Sequence, residues 1–315
     1  MKISIFAPAT IANFSVGFDS LGVALSDIEG SLFGDVVTIE SADETTINMT
    51  GDFAHKLPTN PIDNLVTKCS HLFHKHLLER YIPHKIFTLT LEKRMPIGSG
   101  LGSSSASIVA ALVALNHFYN HPFNDQELFV FAGEMEKSIN GSIHYDNVSP
   151  CLFGGMQLIM QNTQSCESLP FFDNWILVIY HPGIEILTEM ARKILPSTLL
   201  RIDCITYWQK LACFIHASHN KDSTLAAQQM HDVLIEPYRA TLIPYFDEGR
   251  EAAISAGALA FGISGSGPTC FAVTESIDAS HRVRDAIVGV MHGADESFSK
   301  ICTISKTGAR VVWFV

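Results

Sequence analysis

The stretch PIGSGLGSSSASIVAALVALN, Pro96 to Asn116, sets three glycines and four serines in its first ten residues and then turns apolar. Glycine opens backbone conformations closed to other residues and lets a ligand approach the main chain. Serine is a favourable residue at a helix start. A helix N-terminus carries unpaired N–H groups and a partial positive charge, so the combination describes an anion site, with phosphate the usual occupant. Ile108, Val109, Leu112 and Leu115 would then anchor the helix in the core. A tight turn that only caps a helix is the alternative, though three glycines at spacing two are more than a cap requires. A Walker A loop needs a lysine after its glycines, and none follows here. In the dinucleotide fingerprint the sixth position counted from Gly98 should be glycine, and it is Ser103. The nucleophile elbow G-x-S-x-G fails at 102–106 on Ala106 and at 262–266 on Ser266.

The rest of the chain narrows the class. Its 315 residues are 47% hydrophobic, ample for a sizeable core. Thirty-two acidic against twenty-one basic residues give a formal charge of −11, which speaks against nucleic acid or an anionic membrane as main partner. A small anionic ligand needs only a local positive site. Seven cysteines, at 69, 151, 166, 204, 213, 270 and 302, form no C-x-x-C pair and read as reduced thiols. The opening MKISIFAPATIANF is broken by Pro8, Thr10 and Asn13, too polar for a secretory leader. The longest apolar run, Ile108 to Leu115, is far below the ~18 residues of a membrane span. A soluble, cytoplasmic protein is expected.

Strand patterns occur at Lys2–Phe6, Val36–Glu40, 86–92, 154–160, 175–182, 269–273 and the last seven residues. Helical patterns occur at Asn64–Tyr81, Ser104–Tyr119, Asp125–Ile139, 201–220, 223–258 (mostly helical) and 279–292. The elements are interspersed without regular βαβα alternation, which predicts an α+β fold. The polar segment QNTQSCESLPFFDN (161–174) suggests two domains, residues 1–165 and 166–315.

Three segments in order resemble the motifs of the GHMP kinases, named for galacto-, homoserine, mevalonate and phosphomevalonate kinases. They are APATIANFSVGFDSLG (7–22), PIGSGLGSSSAS (96–107) and GISGSGPTCFAV (262–273). The resemblance implies an N-terminal ribosomal protein S5 domain 2-like domain, a C-terminal ferredoxin-like domain, ATP and Mg²⁺. Asn-x-x-x-Gly-Phe-Asp in the first motif is joined by GSIHYDNVSP (141–150), HPGIEILTEMAR (181–192) and EPYR (236–239), and these resemble the homoserine kinases of that superfamily. That implies phosphorylation of L-homoserine in threonine biosynthesis, by a homodimer. Ser105 stands where many relatives have alanine.

The resemblance also assigns roles. Pro96, Ile97, Gly98, Ser99, Gly100, Leu101, Gly102, Ser103, Ser104, Ser105 and Ala106 would wrap the ATP phosphates, with Asn64 and Lys93 at the nucleotide. A loop cap and a surface lysine are the plainer readings of those two. Ser104 and Glu136 would hold Mg²⁺, in preference to Glu134 two residues away; for Ser104 the plainer reading is a helix cap. Asn13, Asp19, His144, Thr188, Arg192, Arg239, Gly265 and Ser266 would hold the amino acid. An acid for the ammonium and arginines for the carboxylate suit a zwitterion. Asn147 matches the position where relatives carry a catalytic aspartate and would orient the hydroxyl. Asp146, read in an extended stretch, would point away, so no strong general base is expected. Two other readings stay open: another small-molecule kinase of the superfamily, and a catalytically silent ligand sensor. His71, His74, His76, His216 and His219 lack metal-site spacing and read as exposed helix residues.

Overall fold

The structure is a computed structural model that describes residues 1–141 and 143–314, without the side chains of Pro61 and Asn140. Ser142, in the quoted 141–150 stretch, lies outside the described residues. In chain order the strands are β1 Lys2–Pro8, β2 Thr10–Ala12, β3 Leu21–Asp27, β4 Gly34–Ser41, β5 Thr46–Thr50, β6 Phe87–Glu92, β7 Met156–Met160, β8 Ser165–Leu169, β9 Ile176–His181, β10 Ala260–Ile263, β11 Cys270–Thr274, β12 Phe298–Ile304 and β13 Arg310–Phe314. The α-helices are α1 Leu65–Glu79, α2 Ser103–Phe118, α3 Asp125–Asn140, α4 Tyr145–Phe153, α5 Thr188–Lys193, α6 Arg201–Asn220, α7 Ser223–Gln229, α8 Glu236–Arg239, α9 Phe246–Ser255 and α10 Ile277–Met291.

One sheet runs β13-β1-β4-β6-β5, antiparallel except for the parallel β5–β6 pair. The other runs β10-β11-β9-β12-β3-β7-β8, with β2 paired to β3. Largely antiparallel sheets with helices between them fit the α+β expectation. Strands cross the 165/166 division in both directions. β12 pairs with β3, and β13 returns to lie beside β1. The polar segment read as a boundary contains a strand, β8, paired to β7.

Helix α2 lies at the centre, packed on β1, β4, α1, α3 and α4. Fourteen of its 16 residues are buried. A helix apolar all round belongs inside, and its amino end is thereby held rigidly. The turn after β2 is fixed differently. Asn13, Phe14 and Ser15 all take left-handed backbone angles, a conformation that costs non-glycine residues energy. The side chain of Phe14, fully buried, stacks on Phe271 and packs edge-on against Phe214. A large apolar anchor from the first motif thus reaches elements of the C-terminal half.

The patterned segments form the expected elements, with one exception. The stretch 223–258 breaks at 230–235 into separate helices. All seven cysteines are free thiols. Of the histidines read as exposed, two are not: His76 stacks on Phe131, and His74 packs its ring on His84 with its Nε2 3.0 Å from the Tyr119 hydroxyl. Burial, with His84 and His71 nearby, lowers its pKa to about 4.

Candidate active site

Gly98, Gly100 and Gly102 all have positive φ, and Gly102 caps α2 in the left-handed region with no side chain over the helix end. Helix α2 therefore presents its first-turn N–H groups toward the loop, as an anion site requires. Ser104 lies inside the first turn rather than at the cap. The loop is tied down by backbone and hydroxyl bonds: Thr10 N to Leu101 O at 3.0 Å, Ile186 N to Gly98 O at 3.0 Å, Thr269 N to Ser99 O at 3.2 Å, and Ser264 Oγ to Gly100 O at 2.6 Å. These glycines make room for protein as well as ligand. A Cβ on Gly100 would meet the carbonyl oxygen of Ser264 and lie 2.7 Å from that of Gly267; one on Gly102 would meet Thr10 and lie 2.8 Å from Asn147 Oδ1.

Lys93 and Asn64 are not surface residues. Lys93 is buried; its ammonium pairs with buried Asp35 and donates to Ser103 O at 2.8 Å and Ser107 Oγ at 3.0 Å. Asp35 also accepts from Arg94 N and Met95 N. The lysine supports the loop through its bonds to Ser103 and Ser107 at the start of α2. Asn64 caps α1, its side chain accepting from Val66 N at 3.0 Å.

Helix α3 brings Glu136 to the same helix end. Its Oε1 accepts from Ser105 Oγ at 2.6 Å and Ser104 Oγ at 3.2 Å, and the residue is buried. Glu134 points outward, 3.9 Å from His76 Nε2. A carboxylate and a hydroxyl beside a phosphate site form an oxygen set of the kind Mg²⁺ takes, so the pair fits that ion.

Opposite the loop, residues from five places in the chain converge. Asp19 Oδ1 accepts from Arg192 Nη2 at 2.7 Å, and Arg192 Nη2 lies 2.9 Å from His144 Nδ1. Asn13 Oδ1 accepts from Asp19 N at 3.0 Å, while its Nδ2 donates to Gly265 O at 3.1 Å. Arg239 Nη1 donates to the same carbonyl at 2.7 Å. Thr188, at the start of α5, and Ser266 are half-buried. Burial, then the charge of Arg192, lowers the His144 pKa, although Asp19 opposes this. Burial, then Arg192, also lowers that of Arg239. The side chains of Asp19 and Arg192 are 28% and 32% exposed, and the two groups already pair with each other.

The segment read as extended around Asp146 is helix α4, with His144 at its cap. Asn147 Oδ1 accepts from Thr10 Oγ1 at 2.8 Å, which turns its amide NH₂ the other way. Asp146 is buried, and burial together with the charge of Asp19 pushes its pKa to about 7. Below about pH 4 the carboxyl is protonated in both folded and unfolded chains. As pH rises toward 7 the unfolded chain releases the proton and the folded one keeps it, so stability falls. Asp146→Asn should therefore raise Tm over wild type more at pH 8 than at pH 4. The corresponding difference in stability should be on the order of a few kcal/mol, because a tenfold change in proton affinity between the two states is worth about 1.4 kcal/mol. Calorimetric scans at both pH values check this; equal differences would contradict it.

Sequence reading missed Asp35, Thr10, Phe18 and Tyr207, which hold the site together. Thr10 and Phe18 lie within the first motif but were given no role there; Asp35 and Tyr207 do not stand out by type or spacing, and Asp35 and Lys93 are 58 residues apart in the chain.

Comparisons with known proteins agree with this geometry. Residues 64–155 match the family model of the GHMP kinases N terminal domain, and residues 214–292 that of the GHMP kinases C terminal domain. A homoserine kinase from Cytophaga hutchinsonii is 34% identical, with 99% of this chain and 97% of that one aligned at a TM-score of 0.90. A putative homoserine kinase from Listeria monocytogenes is 23% identical over 99% and 100% of the two chains, with a TM-score of 0.72. A mevalonate kinase from L. major in complex with R-mevalonate is 15% identical over 95% of each chain, with a TM-score of 0.71, and shares the fold. With a glycine loop at a buried helix end, a serine–glutamate pair beside it and both family models matched in order, the chain belongs to the GHMP kinase family of phosphotransferases.

Proposed function

We propose that this kinase transfers the γ-phosphoryl group of ATP to the side-chain hydroxyl of L-homoserine, giving O-phospho-L-homoserine. The observation that carries the reading is the cluster of Asp19, Arg192 and Arg239: Arg239 donates to Gly265 O, and the neighbouring Ser264 hydroxyl donates to Gly100 O of the glycine loop. Ammonium and carboxylate on one small acceptor match one acid and two arginines. Mevalonate has no ammonium and would leave Asp19 without a ligand partner.

The residues divide the work. The glycine loop and the start of α2 hold the phosphates. Ser104 and Glu136 would hold Mg²⁺, which when bound neutralises phosphate charge. On acceptor binding the Asp19–Arg192 pair exchanges for contacts with the amino acid, Asp19 taking the ammonium and the arginines the carboxylate. Thr10 fixes the Asn147 amide so that its NH₂ can donate to the hydroxyl or a phosphoryl oxygen. The bond from the γ-phosphorus to the bridging oxygen breaks as the bond to the acceptor oxygen forms, ADP leaves, and the acceptor proton passes to solvent. The transition state of such transfers is loose, so positioning and charge neutralisation suffice without a strong base.

ADP release should be measured with homoserine, mevalonate and galactose offered in parallel with ATP and Mg²⁺. Turnover is expected with L-homoserine, much slower with L-serine and L-threonine, and absent with the other two. Turnover of mevalonate or galactose instead would replace the substrate assignment. No turnover with any acceptor would favour the silent sensor.

A further inference from the structure

Phe18 stands between Gly17 and Asp19, and both substrate-side arginines lie over its ring. The guanidinium carbon of Arg239 is 5.1 Å from the ring centroid and that of Arg192 is 5.6 Å. Two guanidiniums gathered for one carboxylate repel each other; burial first, and then the charge of Arg192, lower the pKa of Arg239. An aromatic face is negative and attracts a cation within about 6 Å, whereas an aliphatic side chain does not. Asp19 pairs directly with Arg192, and Asp19, Asp146 and Asp232 act on Arg239 only through longer-range charge. Arg239 is otherwise tied to neutral carbonyls, Gly265 O at 2.7 Å and Ala191 O at 3.4 Å.

The ring is itself held in place. The Phe18 N–H donates to the hydroxyl of Tyr207, a buried residue of α6. Leu195, Cys204 and Val233 pack with Phe18 around Tyr207, Leu234 and Ile235, just ahead of α8, which carries Arg239. One small apolar cluster thus fixes the ring relative to α8.

We infer that Phe18 is a specificity-determining positioning residue: its ring lets Arg192 and Arg239 sit close enough together to receive one carboxylate. This rests on the amino-acid acceptor proposed above. It adds a role that neither ion pairing nor hydrogen bonding supplies, and it concerns only the carboxylate end of the acceptor.

Phe18→Leu and Phe18→Tyr should be compared with wild type on two acceptors, L-homoserine and 3-aminopropan-1-ol, which keeps the ammonium and hydroxyl but lacks the carboxylate. Phe18→Leu is expected to raise the homoserine KM about 5- to 30-fold, from the usual strength of two such contacts. The ATP KM and the kcat/KM of the carboxylate-free alcohol should stay within about twofold. Phe18→Tyr, which keeps the ring, should restore the homoserine KM. A wild-type homoserine KM in Phe18→Leu, or an equal loss on both acceptors, would overturn the inference. If wild-type enzyme does not turn over homoserine, the substrate reading fails separately. The ring's role is then read from the side-chain N–H resonances of Arg192 and Arg239 in the two Phe18 variants. Loss of a ring-current shift at both arginines in Phe18→Leu, and not in Phe18→Tyr, supports it; unmoved resonances overturn it.

Discussion

Gly100→Val should lower kcat/KM by roughly three orders of magnitude or more, since a rate falls tenfold for about each 1.4 kcal/mol. Two costs act together. Gly100 has φ +79°, a region β-branched residues rarely adopt. Its Cβ would also run into the carbonyls of Ser264 and Gly267, which are backbone and cannot swing aside. The damage is therefore not limited to a clash with phosphates, as the loop sequence alone suggested. The substitution pushes the phosphate loop off the 264–267 loop that carries the acceptor side, so both substrates lose their place. Some loss of Tm accompanies it for the same reason. Gly289→Ala is the control: it lies inside α10 with open space around it, and alanine there should add up to about 1 kcal/mol of stability without touching activity. Steady-state kinetics and melting curves of both variants decide the matter. A fully active Gly100→Val would show the loop to be only a helix cap.

Asp19→Asn should raise the homoserine KM about 10- to 100-fold and leave the ATP KM and most of kcat in place. Fully buried charge pairs lose more when one partner is removed, roughly 2–5 kcal/mol. Asp19 and Arg192 are about a third exposed, so solvent screening brings the effect toward the lower end. An interaction made equally in the ground and transition states changes KM and not kcat. The variant has a second signature. Asp19 helps raise the pKa of Asp146, so removing its charge should bring that carboxyl down and weaken the loss of stability between pH 4 and 7. Varying each substrate in turn across pH tests the kinetic part, and melting curves over the same range test the other. Collapse of kcat at unchanged homoserine KM would make Asp19 a base and contradict its role as an anchor.

Much of the site was legible because its chemistry sits in contiguous motifs. Three glycines and a serine run before an apolar helix require a loop at a buried helix end, and that is where Pro96–Ala106 lies. Ser104 and Glu136, assigned together only by the family resemblance, lie within hydrogen-bond distance. Of the strands that escaped reading, β2, β5, β8 and β10 are short, β3 is buried on both faces, and β12 is a partly buried strand without a clear alternation. In β3, LGVALSD has six of seven residues buried, so no alternation marks it. The supports were equally silent. Lys93 looks like a surface lysine in sequence and becomes an internal strut only because β4 and β6 pair and bring Asp35 to it. Asp146 was misplaced because HYDNV holds a helix start with no capping side chain, so the pattern looked extended. Left-handed angles at Asn13, Phe14 and Ser15 are set by the buried Phe14 contacts, which no local rule foresees.

The central claim is that one zwitterionic acceptor opens the Asp19–Arg192 pair beside the phosphate loop. A crystal structure with L-homoserine and a non-hydrolysable ATP analogue tests it most directly. The account predicts the ammonium on Asp19, the carboxylate between Arg192 and Arg239, and the hydroxyl near Asn147, facing the γ-phosphate above Gly98–Ser104. Homoserine bound away from this cluster, or an Asp19–Arg192 pair still closed with acceptor and nucleotide analogue both bound, would contradict it.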